Sequence, residues 1–184
     1  DAVTLDVIQG QAREFVYRPE TFEPLALLGA SQQSALLYVN DPNGCPTRLI
    51  DAKGQVLWAA SYAAWGAIDK LHVETVDNPI RLQGQYADRE TGLHYNRHRY
   101  YDARLGAFIS ADPLGLDAGE NAYDFAPNPT SWIDPLGLVK CNNKNISFKK
   151  WMSNKAKQGK NTHVYVLMKK NKVVYVGIAK NLSA

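Results

Sequence analysis

The chain has 184 residues, 45% of them hydrophobic and 21% charged, with 13 glycines and 9 prolines, enough apolar material for a core and too much for wholesale disorder. Cys45 and Cys141 form no spaced cluster with His72, His94, His98 or His163, which argues against a disulfide scaffold or a Cys/His zinc site, and no apolar run approaches the roughly 18 to 20 residues of a membrane span. The net charge of +3 hides a segregation: residues 1–138 hold all 18 acidic residues and 10 basic ones, a net −8, whereas residues 139–184 hold 11 lysines, no arginine and no acid, a net +11.

The start at Asp1, with neither an initiator Met nor a signal-peptide pattern, reads as that of a piece excised or processed from something larger. Short apolar stretches follow at 35–39, 48–50 and 55–58, separated by Asn40-Asp41-Pro42-Asn43-Gly44 and Asp51-Ala52-Lys53-Gly54. Those separators carry the turn chemistry of consecutive hairpins, with Asn, Asp and Gly where positive φ or a side chain bonded to local backbone is needed. The stretches 79–86 and 93–101 alternate apolar or aromatic residues with polar ones, and their period near two favours strands over helices. Clustered tyrosines at that spacing suit a half-buried sheet face. Beyond Val139 the pattern changes. Phe148, Trp151, Met152 and Ala156 recur at helical spacing, so residues 147–158 read as a short amphipathic helix capped by Ser147, and 163–168 with 172–177 read as a β-hairpin with a basic tip.

The pentapeptide Asp-Pro-Leu-Gly-Leu occurs twice, at Asp112–Leu116 and Asp134–Leu138, with 18 residues between Gly115 and Asp134. Each copy is by itself a turn, because Asp-Pro starts one and Gly closes it. The second copy, however, ends where the charge changes sign. Two carboxylates brought together can cut a peptide bond. Close like charges do not both ionise cheaply, so one stays anionic and takes a proton from water while the other polarises the carbonyl or protonates the leaving nitrogen.

The stretches Arg99–Leu116 and Asn121–Leu138, with 51–66 upstream, resemble the terminal core signature of Rhs (rearrangement hotspot) proteins over most of residues 30–138. The resemblance implies a mainly β fold: the end of a tyrosine-aspartate (YD) repeat shell, or cocoon, followed by a small α+β tail fragment. It divides the chain into a shell segment, 1–110, an aspartyl autoprotease segment, 111–138, and the incomplete N-terminal part of a basic toxin, 139–184. It makes Asp112 and Asp134 the catalytic pair, without metal or cofactor, and Leu138–Val139 the bond that is cut; Asp124 is an accessory-acid candidate, more at home in a structural role. Where family members often have Gly-Arg-Phe this chain has Gly106-Ala107-Phe108, so a basic contact expected near the pair is missing from that position. The implied partners are the remainder of the shell, an immunity protein and the spike or adaptor of a secretion machine. The implied setting is a type VI effector of bacterial competition, made in the bacterial cytoplasm and delivered into a target cell.

The tail hairpin, with Val164-Tyr165-Val166 and Tyr175-Val176-Gly177, is similar to the opening of GIY-YIG nucleases. That would make Tyr165 and Tyr175 active-site tyrosines of a nuclease needing a divalent metal such as Mg, with nucleic acid as substrate and the acid-free, lysine-rich tail as the polyanion-binding surface. A plain hairpin with packed tyrosines and a solvated lysine face is the alternative. The nuclease pattern also calls for an arginine and a glutamate, neither of which lies in residues 139–184. Two other readings of the whole remain: the C component of a tripartite insecticidal toxin, and a non-catalytic β-repeat adhesion or carbohydrate-binding module in which both pentapeptides are only turns.

Overall fold

The computed structural model describes residues 2–8, 10–29, 35–115 and 120–138 with their side chains, and the backbone of strands at 141–142, 162–169 and 172–180. The fold is mainly β. Residues 2–143 and 144–184 form separate compact units.

The first unit opens with a seven-stranded antiparallel meander. Its strands are β1 (Leu5–Ile8), β2 (Gln11–Tyr17), β3 (Pro24–Leu28), β4 (Leu36–Asn40), β5 (Pro46–Ile50), β6 (Val56–Tyr62) and β7 (Ile68–Glu74), each paired with the next. One face is written in the register. Phe15 pairs with Leu27 and Leu27 with Leu36; Tyr38 pairs with Leu49 and Leu49 with Trp58. All six are buried, and removing each apolar side chain from water is worth about 1.5–3 kcal/mol.

The hairpin loops between strands repeat one device. Asp41 Oδ1 accepts from the Asn43 and Cys45 amides, Asp51 Oδ1 accepts from the Lys53 and Gln55 amides, and the Gly three residues after each Asp donates its amide to the Asp carbonyl. Gly44 and Gly54 adopt φ of 79° and 81°, which a β-carbon would strain.

A second sheet has the order β11 (Ala107–Phe108), β10 (Arg99–Asp102), β9 (His94–Asn96), β8 (Tyr86–Ala87). Its core is aromatic: Tyr101 lies 4.8 Å from Phe125 and 5.6 Å from Phe108, centroid to centroid. Here the alternation over 79–86 and 93–101 resolves into shorter pieces than it suggests. Residues 79–85 form no strand, only an isolated bridge from Ile80 to Tyr86 at the start of β8, because the chain turns at Gly84, where φ is 86°. Residues 93–101 form a hairpin rather than a strand, reversing at Arg97, a non-glycine residue at φ 56°, so that Asn96 faces Arg99 across the ladder.

Strand β12 (Trp132–Ile133) pairs with β13 (Cys141–Asn142). The second unit contains an antiparallel hairpin, β14 (Thr162–Lys169) with β15 (Lys172–Lys180), in which Tyr165 faces Gly177 and Tyr175 faces Leu167. The helix expected over 147–158 lies outside the described residues. Among the described residues no helix is long and apolar enough to cross a membrane.

Burial holds His94 neutral. Desolvation lowers its pKa to about 4, assisted by Arg81 and opposed by Asp102, while its Nδ1 lies 2.9 Å from Gln85 Oε1. The unfolded chain takes up that proton near pH 6.5, so the stability His94 confers is complete above that pH and is lost as the pH falls toward 4. Urea unfolding at pH 7.5 and at pH 5 should show the wild type losing about 2 kcal/mol more than His94→Gln; equal losses would refute this account.

Candidate functional site

Both Asp-Pro-Leu-Gly-Leu copies use the loop device of the meander. Gly115 and Gly137, at φ 59° and 66°, donate their amides to the carbonyls of Asp112 and Asp134. Asp112 Oδ1 accepts from the Leu114 amide at 2.8 Å and Asp134 Oδ1 from the Leu138 amide at 3.0 Å. The reading of each copy as a turn is therefore right locally. Asp41-Pro42-Asn43-Gly44 is a third Asp-Pro-x-Gly turn, yet its Asp is exposed. Asp112 and Asp134 are buried, at 7% and 1% exposure.

One side chain makes that difference. Arg99, on β10, places Nη2 2.8 Å from Asp112 Oδ2 and 3.3 Å from Asp134 Oδ2. Its Nε donates to the Gly137 carbonyl at 2.5 Å and its Nη1 to the Ala122 carbonyl at 2.9 Å. Ala122 O also receives the Asp112 amide, so the guanidinium fork is tied to both turns through backbone and carboxylate alike. Its carbon sits 3.6 Å over the Phe108 ring. Burial pulls Arg99 below its ordinary pKa, and Asp112 and then Asp134 push it back up. Ala107 leaves the position next to Phe108 without a basic residue, but the site has its cation from the neighbouring strand.

The second turn is gripped from both sides. Asn96 Nδ2 donates to the Asp134 carbonyl at 2.8 Å, and the His98 amide points at the Leu136 carbonyl. A β-carbon on Gly137 would lie 2.6 Å from the Asn96 carbonyl oxygen, and one on Gly84 would lie 2.3 Å from that of Pro135. Residues 134–138 are all buried. The pairing of Ile133 with Cys141 and Trp132 with Asn142 closes the chain on either side of 134–140.

The structure thus brings Asp112 and Asp134 to one cation and ties Leu138 to Asp134, while Val139 lies outside the described residues. Asp124 is placed elsewhere: it is exposed, bridges Ala107 and accepts from Asn121 Nδ2. Tyr165 and Tyr175 belong to the other unit, where their strand register is described and their side chains are not. Sequence reasoning did not single out Arg99 or Asn96. Both sit at inward positions of a tyrosine-rich hairpin, and facing partners in its register was the signal available.

Removing the cation leaves two buried carboxylates without it, so Arg99→Met should lower unfolding free energy by about 3–5 kcal/mol; a loss below about 1 kcal/mol would show that the clamp is unimportant to folding. The two turn glycines should differ. Among the described residues nothing lies within 4 Å of a β-carbon on Gly115, so Gly115→Ala should cost about 1 kcal/mol of φ strain, whereas Gly137→Ala meets backbone and should cost several times more in the same thermal melts.

Residues 36–71 match the RHS protein family model. Double-stranded DNA deaminase toxin A of Burkholderia cenocepacia is 49% identical over 103 residues, 54% of this chain and 7% of that protein. "Probable deoxyribonuclease RhsA" of Dickeya dadantii is 42% identical over 100 residues, again 54% of this chain and 7% of the relative. The chain thus spans less than a tenth of the length of these two relatives. The solved structure of TcdB2-TccC3 without its hypervariable C-terminal region superposes with a TM-score of 0.58 over 73% of this chain and 7% of that one, at 24% identity, a likeness of fold. The match to the RHS family model lies on strands β4 to β7 of the meander, and the likeness to the solved structure is one of fold.

Proposed function

We propose that the paired turns form a self-cleaving aspartyl site that hydrolyses the Leu138–Val139 bond and so separates a β-shell from a basic toxin. The observation that carries this reading is the convergence of Asp112 and Asp134 on Arg99 Nη2, with the Leu138 amide on the second carboxylate. Close like charges do not both ionise cheaply, so one carboxyl of the pair holds a proton while the other stays anionic beside Arg99. That charge is suited to taking a proton from water. In the reaction a water oxygen bonds to the Leu138 carbonyl carbon, one water proton goes to a carboxylate, and the Leu138–Val139 C–N bond breaks. The leaving nitrogen takes its proton from the protonated carboxyl of the pair, giving a Leu138 carboxylic acid, which loses its remaining proton to solvent, and a Val139 amine. The bond is part of the same chain as the acids, so no bimolecular encounter is needed.

The charge division supports the assignment of roles. The cut separates the net −8 of residues 1–138 from the net +11 of residues 139–184, and attraction between the two would retain the tail after cleavage at low salt. We assign the tail to the start of a GIY-YIG-like nuclease acting on nucleic acid, with Tyr165 and Tyr175 at its site. Its support is the hairpin register, the lysine content, and relatives named for action on DNA. The residues present do not fit the divalent metal such a nuclease uses, because 139–184 contain no carboxylate to bind it, and no step is routed through one. The remaining shell, an immunity protein, a delivery spike or adaptor, and passage from the producing cytoplasm into a target cell complete the proposal as partners and route.

Intact-mass measurement of the 184-residue chain should give two species, residues 1–138 and 139–184, while Asp112→Asn and Asp134→Asn should each give one. A single uncut mass for all three, or cleavage that persists in both variants, refutes the reading and favours turns alone.

A further inference from the structure

The hydrolysis proposed above requires a water held beside the acids, and of the buried side-chain atoms without a hydrogen-bond partner among the described residues, one belongs to a residue bonded to the second acid's backbone. Asn96 is fully buried, at 0% exposure. Its amide nitrogen is committed to the Asp134 carbonyl at 2.8 Å. That bond fixes the amide orientation, since the reverse would set two acceptors against each other. The amide oxygen then points away from the Asp134 carbonyl and has no hydrogen-bond partner among the described residues. A buried acceptor left unmade costs about 1–3 kcal/mol, and a group in this state calls for a bound water or a functional role. The orphan lies in a telling place. Asn96 and Arg99 are paired across the β9–β10 hairpin, so their side chains leave the same face, and Asn96 holds the carbonyl of the residue whose carboxylate Arg99 holds.

We infer that Asn96 is a positioning residue for this reaction, its Oδ1 accepting one O–H of the hydrolytic water so that the other O–H faces the Asp112–Asp134 pair. The inference rests on the self-cleavage reading. The water's oxygen bonds to the Leu138 carbonyl carbon, its free proton passes to a carboxylate, and the proton held by Asn96 stays on the new acid until it is lost to solvent. Asn96 itself neither gains nor loses a proton.

The test uses the 184-residue chain and three variants, collected uncut in urea and diluted into buffers from pH 5 to 8, with cleavage followed by intact mass. Asn96→Ala should cut roughly tenfold or more slowly than wild type while melting as a folded protein. Asn96→Asp separates positioning from packing. Ionised, it offers Asp134 O no donor and adds a third anion; protonated, it presents the donor and acceptor of the amide. Its rate relative to wild type should therefore be lowest at pH 8 and recover several-fold toward pH 5. Asp112, Asp134, Arg99, Asp102, His94, Arg97, His98 and the tyrosines at 95, 100 and 101, the charged and titratable groups of the two turns and the hairpin, are common to both chains, so the ratio isolates position 96. Wild-type cleavage rates in Asn96→Ala, or a ratio for Asn96→Asp that stays flat with pH, would overturn the inference. Those outcomes differ from failure of the self-cleavage reading itself, in which wild type stays whole or Asp112→Asn, the third variant, is cut.

Discussion

The site depends on the contact of one guanidinium with two carboxylates and two carbonyls. Arg99 is 3% exposed, and an isolated buried cation is costly enough that it persists only when paired and hydrogen-bonded. Asp112, Asp134, Gly137 O and Ala122 O meet that requirement together. The requirement also runs the other way, because neither carboxylate could be buried without the cation. Segments around 99, 112, 122 and 134 are therefore coupled, although little of the intervening chain forms regular structure. Where long strands align a site by their ladders, here a single side chain aligns it.

The turn that carries the acids is the commonplace device of this fold. An Asp whose side chain gathers nearby amides, followed three residues later by Gly with positive φ, closes loops at 41, 51, 112 and 134. In the meander the carboxylate satisfies backbone donors at an accessible loop. At Asp112 and Asp134 one oxygen still does so, and the other is turned inward to Arg99. The buried acid pair is thus obtained by burying an existing structural motif beside a cation rather than by adding a new one. This is why the pentapeptides read equally well as turns and as catalytic elements: they are turns in every local respect, and only tertiary placement distinguishes Asp112 from Asp41.

That distinction marks the limit of what the sequence makes legible. The meander is legible through Asp51-Ala52-Lys53-Gly54 and its neighbours because positive φ and Asx bonding leave a compositional trace. The aromatic second sheet is legible only as alternation, which does not tell one long strand from a hairpin; the reversal at Arg97 uses a residue that seldom takes positive φ and so leaves no trace. The twin acids stand out through repetition and through the change of charge after them. Arg99 does not, since an arginine among tyrosines and histidines ordinarily reads as a solvated strand position. Asn96 is hidden for the same reason, and its unpartnered oxygen is a property of three-dimensional packing alone.

In the proposed reaction the segment 134–138 is acid, tether and substrate at once, and this has a physical consequence. An enzyme acting on a separate molecule must recover its site by releasing product, whereas here the new carboxyl end belongs to a stretch whose five residues are buried. Asn96, Arg99 and the close approach of Gly84 to Pro135 hold that stretch irrespective of the bond beyond it. Cleavage would relieve none of those contacts, so the cut shell keeps its fold and its occupied site. A protease of the proposed kind would act once, on its own chain, because the bond cut is part of the same chain as the acids.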